Sequence, residues 1–146
     1  MNWSFDALDV CRLIQGAAFV LLLSCAAWSD LRTGLIPDRI SAGIVLAGFL
    51  TKVLSAQWML HQLIGALAIG GTLLLASMIR KNSFGGGDIK LCAACGFFLG
   101  FSHGSAGLFF GLLLAALAFA VRRTKRLPLA PYLGAGFVIA YLLGGL

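Results

Sequence analysis

The sequence predicts an all-α fold, a polytopic membrane protein with six transmembrane helices and both termini on the outer side. The first observation is composition: 60% of the 146 residues are hydrophobic, the mean hydropathy is +0.99 and only 11% are charged. Soluble proteins have about 25% charged residues. The other two observations are the spacing of the apolar segments and the distribution of the basic residues. The length leaves room for about six spans of roughly 20 residues, so residues 1–146 are predicted to form one membrane domain.

Six apolar segments, each bounded by charges, glycines or prolines, predict the helices. Asp30 follows the first segment, Pro37 and Asp38 precede the second, and basic residues close the third and the fifth. Prolines open the last segment. In chain order the predicted helices cover residues 13–29, 40–56, 60–79, 89–101, 104–121 and 128–146.

The fourth segment is unusually short for a membrane span. A helix over residues 89–101 would rise only about 20 Å, whereas the hydrocarbon core is about 30 Å thick. Two alternatives remain open at this stage. Either the glycine-rich segment before it dips into the membrane, or the fourth span continues through the residues FSHG.

The basic residues predict the orientation in the membrane. Nine of the eleven Lys and Arg fall between the first and second, third and fourth, or fifth and sixth segments, which leaves Arg12 and Lys52 for the opposite face. By the positive-inside rule the crowded face is cytoplasmic. The net charge of +6 is then explained by topology and by a lipid bilayer with anionic headgroups, and no nucleic-acid partner is predicted.

The four cysteines do not predict a metal site. Cys92 and Cys95 form a CxxC pair, but Cys11 and Cys25 are remote in sequence, and structural zinc normally needs a second close pair or histidines. We therefore interpret the cysteines as small apolar residues of membrane helices. The glycines of GFFLGFSHGSAGLFFG are interpreted as surfaces for close helix packing.

The acidic residues are the strongest functional candidates. All five are Asp, and Asp30, Asp38 and Asp88 fall at the cytoplasmic ends of spans, where ionisable groups are costly. Asp38 has a structural explanation, because Pro37 suits the first turn of a helix and an adjacent carboxylate stabilises its positive end. Asp30 ends a span, where the helix dipole disfavours negative charge. Asp88 follows Gly85–Gly87, which we expect to form a loop with positive φ and close backbone approach.

Two carboxylates held together in a pocket of low dielectric share one proton, because both cannot ionise easily. Such a pair activates water and supports the carbonyl oxygen during peptide hydrolysis. The sequence does not say which residue is the acid and which the base. Three alternatives remain. The aspartates only pair with Lys90, Arg32 or Arg39, or Asp30 and Asp88 are relay groups of a small proton-coupled transporter. The third is a purely structural assembly subunit, which would tolerate the loss of either aspartate.

Two motifs resemble the signatures of type IV prepilin peptidases, GxGD aspartic proteases of prokaryotic inner membranes. They are DLRTGLIPD, which begins at Asp30, and GGGDIK, which contains Asp88. The six-segment layout and the proline-rich start of the last helix, LPLAPYLGAG, extend the similarity over nearly the whole chain. The resemblance implies that Asp30 and Asp88 are catalytic, and it gives secondary roles to other motif positions: Gly85, Gly87, Lys90 and Pro37 as motif or loop-shaping residues, and Pro128 and Pro131 as possible substrate-positioning residues.

The resemblance also implies a substrate and a location. Family members cut the short basic leader from prepilins or pseudopilins at the cytoplasmic face of the inner membrane. Only the residues from Asp30 to Arg39 join the first two spans here, and no CxxC pair lies among them. Methyltransferase activity, S-adenosylmethionine and zinc are therefore not carried over, and no cofactor is predicted. The chain is similar to the short, peptidase-only members of tight-adherence or Flp-type systems, although preflagellin peptidases share both motifs. The substrate pilin, the cleavage preference and the oligomeric state stay open.

Overall fold

The computed structural model describes residues 7–54, 60–79, 85–122 and 128–145. This part of the chain is all-α, as predicted. Its helices are α1 (Ala7–Thr33), α2 (Asp38–Leu54), α3 (Leu60–Ile79), α4 (Gly86–Arg122) and α5 (Ala130–Gly145). Among the described residues three helices, α1, α3 and α4, are long and apolar enough to cross a membrane, and the apolar α5 is shorter.

The fourth and fifth predicted helices follow one another within α4, where a break at Gly100 separates two helical halves. Six membrane spans stay a prediction. Gly100, inside α4, has φ 77° and ψ 179°, a conformation that is essentially restricted to glycine. A Cβ placed on Gly104 would lie 3.3 Å from the Gly96 Cα, whereas eight residues of straight helix separate two atoms by about 12 Å. The chain therefore reverses at Gly100, and the two halves of α4 pack as a hairpin.

The α4 hairpin lies at the centre of the bundle. Its backbone lies close to α2, α3 and α5, while the backbone of α1 lies close to α2 and α5. Aromatic rings join these elements in the core: Phe19 of α1 stacks on Phe98 of α4 with centroids 4.2 Å apart, and Tyr141 of α5 lies 5.8 Å from Phe19. The outward faces are also apolar, since Leu67 and Ile79 are 74% and 88% exposed. Such a surface suits contact with lipid and not with water.

The two ends of the bundle differ in their residues. At one end, the end of α1 meets the start of α5 through Asp30 and Ala130, and the start of α2 meets the start of α4 through Asp38 and Lys90. At the other end, Gly100 lies near His61, the second residue of α3. Successive helical segments thus alternate in direction, and the two sequence motifs share one end.

Candidate active site

Asp30 lies in the last turn of α1, which a glycine terminates. Gly34 has φ 65°, and its N–H donates to the Asp30 carbonyl oxygen at 2.9 Å, the αL arrangement that commonly ends helices. The next residues are tied back to the helix. The Ser29 hydroxyl donates to the Leu35 carbonyl at 2.9 Å, and the Thr33 hydroxyl accepts from the Leu35 N–H at 3.3 Å. The DLRTGLIPD motif is therefore an ordered turn between α1 and α2.

Asp88 lies in the first turn of α4. The Gly85 carbonyl accepts hydrogen bonds from the N–H groups of Asp88 and Ile89, at 3.0 and 3.3 Å, so the glycine triplet opens a helix. The prediction of a loop with positive φ is wrong here: α4 begins at Gly86, and in the described residues positive φ is found at Gly34 and Gly100. The glycines at the start of α4 can adopt helical angles, and the tertiary packing of α4 favours the helical conformation over a loop.

Close approach, the second reason for expecting glycines here, applies at Gly87. A Cβ at Gly87 would lie 3.1 Å from the Ile36 Cβ, so a side chain would push against the turn that follows α1. A Cβ at Gly85 would lie 3.4 Å from Asp88 Oδ2 and would cover the carboxylate. At Gly86 a Cβ would meet nothing within 4 Å. A Cβ would therefore meet a neighbouring atom at the two glycines of the GxGD pattern, Gly85 and Gly87, but not at Gly86, the position between them.

Asp30 and Asp88 lie on the wall of one open cavity of about 360 Å³. They are close enough for their charges to interact. Asp88 is 9% exposed, and its Oδ1 has no hydrogen-bond partner in the described part of the chain. A buried carboxylate oxygen without a partner is costly, so its presence in a folded protein calls for an explanation such as a catalytic role. The cavity is lined by Asp30, Gly34, Leu35, Ile36, Asp38, Gly85, Gly86, Gly87, Asp88 and Lys90.

Asp30 has a partner that the sequence did not suggest. Its Oδ2 accepts a hydrogen bond from the backbone N–H of Ala130, the first residue of α5, at 3.0 Å. Pro128 and Pro131 flank Ala130 but do not line the cavity. The proline-rich segment therefore contacts the site through the backbone amide of Ala130, which lies between its two prolines. No signal in the sequence could have identified this contact, since any non-proline residue at position 130 offers the same donor.

Lys90 forms an ion pair with Asp38 and not with Asp30 or Asp88. Its Nζ lies 2.9 Å from both Asp38 carboxylate oxygens, and both side chains are exposed. Asp38 also begins α2, as expected from the helix dipole. Pro37 directly precedes α2 instead of lying in its first turn, and its carbonyl accepts from the Ile40 N–H at 3.0 Å. Arg32 lies over the Trp28 ring, 4.7 Å from its centroid. Among the described residues, neither Asp30 nor Asp88 forms an ion pair with Lys90, Arg32 or Arg39, so such pairing does not account for the two aspartates.

The described residues contain no group of three or more His, Cys, Asp and Glu that could hold a metal ion. Cys92 and Cys95 are free thiols within α4 and are fully buried. They pack in the hydrophobic core with Leu91 and Phe98. The site therefore offers carboxylates, backbone amides and one lysine for chemistry.

Comparison with known proteins identifies the family. The sequence model of the type IV leader peptidase family matches residues 17–122, which include both motifs. The chain belongs to this family. A prepilin leader peptidase/N-methyltransferase of Bacillus subtilis (strain 168) is 40% identical over 149 aligned positions, covering 91% of this chain and 57% of the relative. The chain thus spans little more than half of that protein's length. No solved structure matches it.

Membership of the type IV leader peptidase family supports a peptidase and gives the transporter alternative no support. It also agrees with the apolar helices in indicating a multi-pass membrane protein. The roles of individual residues in catalysis stay predictions.

Proposed function

We infer that the protein is an aspartic endopeptidase that removes the short basic leader of Flp-like type IV prepilins or pseudopilins, with Asp30 and Asp88 as its catalytic pair. One observation carries this proposal: the two aspartates come from separate motifs 58 positions apart in the sequence, yet they line the same cavity. Both lie within the residues matched by the family. The name of the Bacillus subtilis relative supports the peptidase activity.

The proposed reaction uses the pair for proton transfer. One ionised carboxylate takes a proton from water as the water oxygen attacks the carbonyl carbon of the scissile peptide bond. The protonated partner donates a hydrogen bond to the carbonyl oxygen, which becomes the oxyanion of the tetrahedral intermediate. The C–N bond then breaks, the pair delivers a proton to the leaving nitrogen, and the products are a carboxylic acid and an amine. No covalent enzyme intermediate forms, and the pair ends with one proton.

The cavity suits such a substrate in size and charge. Its volume of about 360 Å³ and its open mouth accommodate an extended peptide segment of a few residues. Three of its lining residues are aspartates and one is a lysine, so its formal charge with one shared proton is −1. A basic leader would be attracted to it electrostatically. Methyl transfer is not part of the proposal, because the match covers only 57% of the bifunctional relative.

We place the protein in the inner membrane, with six spans, the cavity facing the cytoplasm and both termini on the outer side. The distribution of Lys and Arg supports this orientation. The two halves of α4, reversed at Gly100, would supply the fourth and fifth spans. The first half of α4, Gly86 to Leu99, rises only about 21 Å. Asp88 would therefore lie near the headgroup level or below it, where water reaches it through the cavity.

Co-expression with candidate prepilins tests the proposal. The wild-type protein is expected to shorten at least one Flp-like prepilin, and amino-terminal sequencing of the product is expected to find cleavage directly before the hydrophobic segment. A panel of prepilins that all keep their leaders would contradict the proposal. If the same purified protein also dissipated a proton gradient in vesicles, the transporter interpretation would replace it.

A further inference from the structure

The first turn of α5 leaves one backbone donor free for another element. The Leu129 carbonyl accepts from the N–H groups of Tyr132 and Leu133, at 3.1 and 3.0 Å, so the helix begins at Ala130. The N–H groups of a helix's first residues have no partner within the helix. Pro131 carries no N–H. The N–H of Ala130 is therefore an unused donor of α5, and it points to Asp30 Oδ2 at 3.0 Å.

Among the described residues that line the cavity, no charged side chain donates a hydrogen bond to Asp30. Of the three other ionisable residues that line the cavity, two are aspartates, and the third, Lys90, is bound at 2.9 Å to both oxygens of Asp38. Among the described residues, the Asp30 side chain accepts its hydrogen bond from the amide of Ala130. A hydrogen bond from a helix N-terminus to a carboxylate combines a directional bond with the positive end of the helix dipole.

We propose that the backbone N–H of Ala130 is a positioning group for Asp30, holding one carboxylate oxygen so that the other faces the cavity and water. The inference rests on the proposed peptidase function and adds α5 to its site. It also gives the proline-rich segment a role, since Pro128 and Pro131 fix the backbone on both sides of the amide. Residue 130 lies outside the residues matched by the family, so the contact comes from the structure alone.

Proline at position 130 removes the donor with little other change. Proline is favoured at the first position of a helix, because its missing N–H is not needed there and its φ is already helical. Ala130 itself is buried, with 1% exposed. Thermal stability in detergent therefore has to show that the variant tolerates the added ring carbons and stays folded. Replacement of alanine by lactic acid at position 130 exchanges the N–H for an ester oxygen at nearly constant shape, and it serves as a second variant if Ala130→Pro fails to fold.

The test measures kcat and KM of the purified full chain on a prepilin that the wild type cleaves. We expect Ala130→Pro and the ester variant each to lower kcat roughly 10- to 100-fold, because each removes one hydrogen bond to a charged group. KM is expected to stay within about threefold, because the amide contacts Asp30 and not the substrate. Ala130→Gly keeps the N–H, so it is expected to lose less of the wild-type kcat than either of those two variants.

Two results would overturn the inference while leaving the peptidase function intact. One is a folded Ala130→Pro or ester variant with the kcat of the wild type. The other is a loss that appears equally in Ala130→Gly, because side-chain packing and not the amide would then be responsible. A wild type that cleaves no prepilin would instead refute the proposed function itself.

Discussion

The two ends of the bundle are both rich in glycine, and they use it for different purposes. At the aspartate end, Gly85–Gly87 open a helix with ordinary angles, and Gly87 leaves room for Ile36. At the hairpin end, Gly100 has φ 77° and reverses the chain, while Gly96 and Gly104 let the two halves of α4 touch. A glycine run that looks flexible is therefore helical, and a glycine in an apparently regular helix makes the turn.

Substitution of Gly100 tests the hairpin end and is expected to have the largest effect on folding. Gly100→Ala would place a Cβ in ordinary van der Waals contact, 3.7 Å from the nearest His61 atom, so the cost is backbone strain and not a clash. We expect a loss of about 1–3 kcal/mol in the free energy of unfolding. Reversible unfolding in mixed micelles measures it.

Gly71→Ala is the matched control, because Gly71 lies inside α3 and a Cβ there meets nothing within 4 Å. It is expected to be neutral or to stabilise the protein by up to about 1 kcal/mol. If both variants lost the same stability, the special role of Gly100 would be disproved.

Substitution of Gly87 tests the aspartate end and is expected to have a smaller effect on folding. In Gly87→Ala the new methyl group would force Ile36 to move by a few tenths of an ångström, and Ile36 belongs to the turn that follows Asp30. We expect a loss of about 1 kcal/mol in stability and a fall of roughly tenfold in the cleavage rate. Single-turnover cleavage of a prepilin in detergent measures the rate.

Gly86→Ala, one position earlier, provides the comparison, since its Cβ would meet nothing within 4 Å. A rate similar to that of the wild type is expected. Equal losses at positions 86 and 87 would mean that helix geometry, and not the contact with Ile36, explains the pattern of the motif.

The ion pair between Asp38 and Lys90 should have the smallest effect. Its side chains are 73% and 59% exposed, and exposed pairs contribute about 0–1 kcal/mol. A double-mutant cycle with Asp38→Asn and Lys90→Met is expected to give a coupling energy within that range, falling as salt is added. A coupling above about 2 kcal/mol would show that the pair joins α2 and α4 far more strongly than its exposure predicts.

The sequence predicts much of this architecture for physical reasons. Apolar segments of membrane length and the charges between them identify α1, α2, α3 and α5, because lipid strictly limits where charges lie. The cost of a charge at membrane depth indicates Asp30 and Asp88 as functional candidates. Their catalytic role stays a prediction.

Three features could not be predicted, since each depends on tertiary contacts. Periodicity does not distinguish a glycine needed for positive φ, such as Gly100, from one needed for close packing. The pairing of Lys90 with Asp38 instead of Asp88 depends on how α2 meets α4. The donor at Ala130 is a backbone group, and a backbone group leaves no mark in the residue pattern.

Cleavage by the Asp30→Asn and Asp88→Asn variants tests most directly whether the two aspartates form one catalytic pair. Asparagine preserves shape but cannot transfer protons as a carboxyl group does. Each variant is expected to insert and fold like the wild type and to lose at least about 10³-fold in cleavage rate, with the double variant no worse than either single one, as for residues that act as a unit. The measurement is the cleavage rate of the purified proteins on one prepilin. Cleavage within tenfold of the wild-type rate by either folded variant would contradict the account.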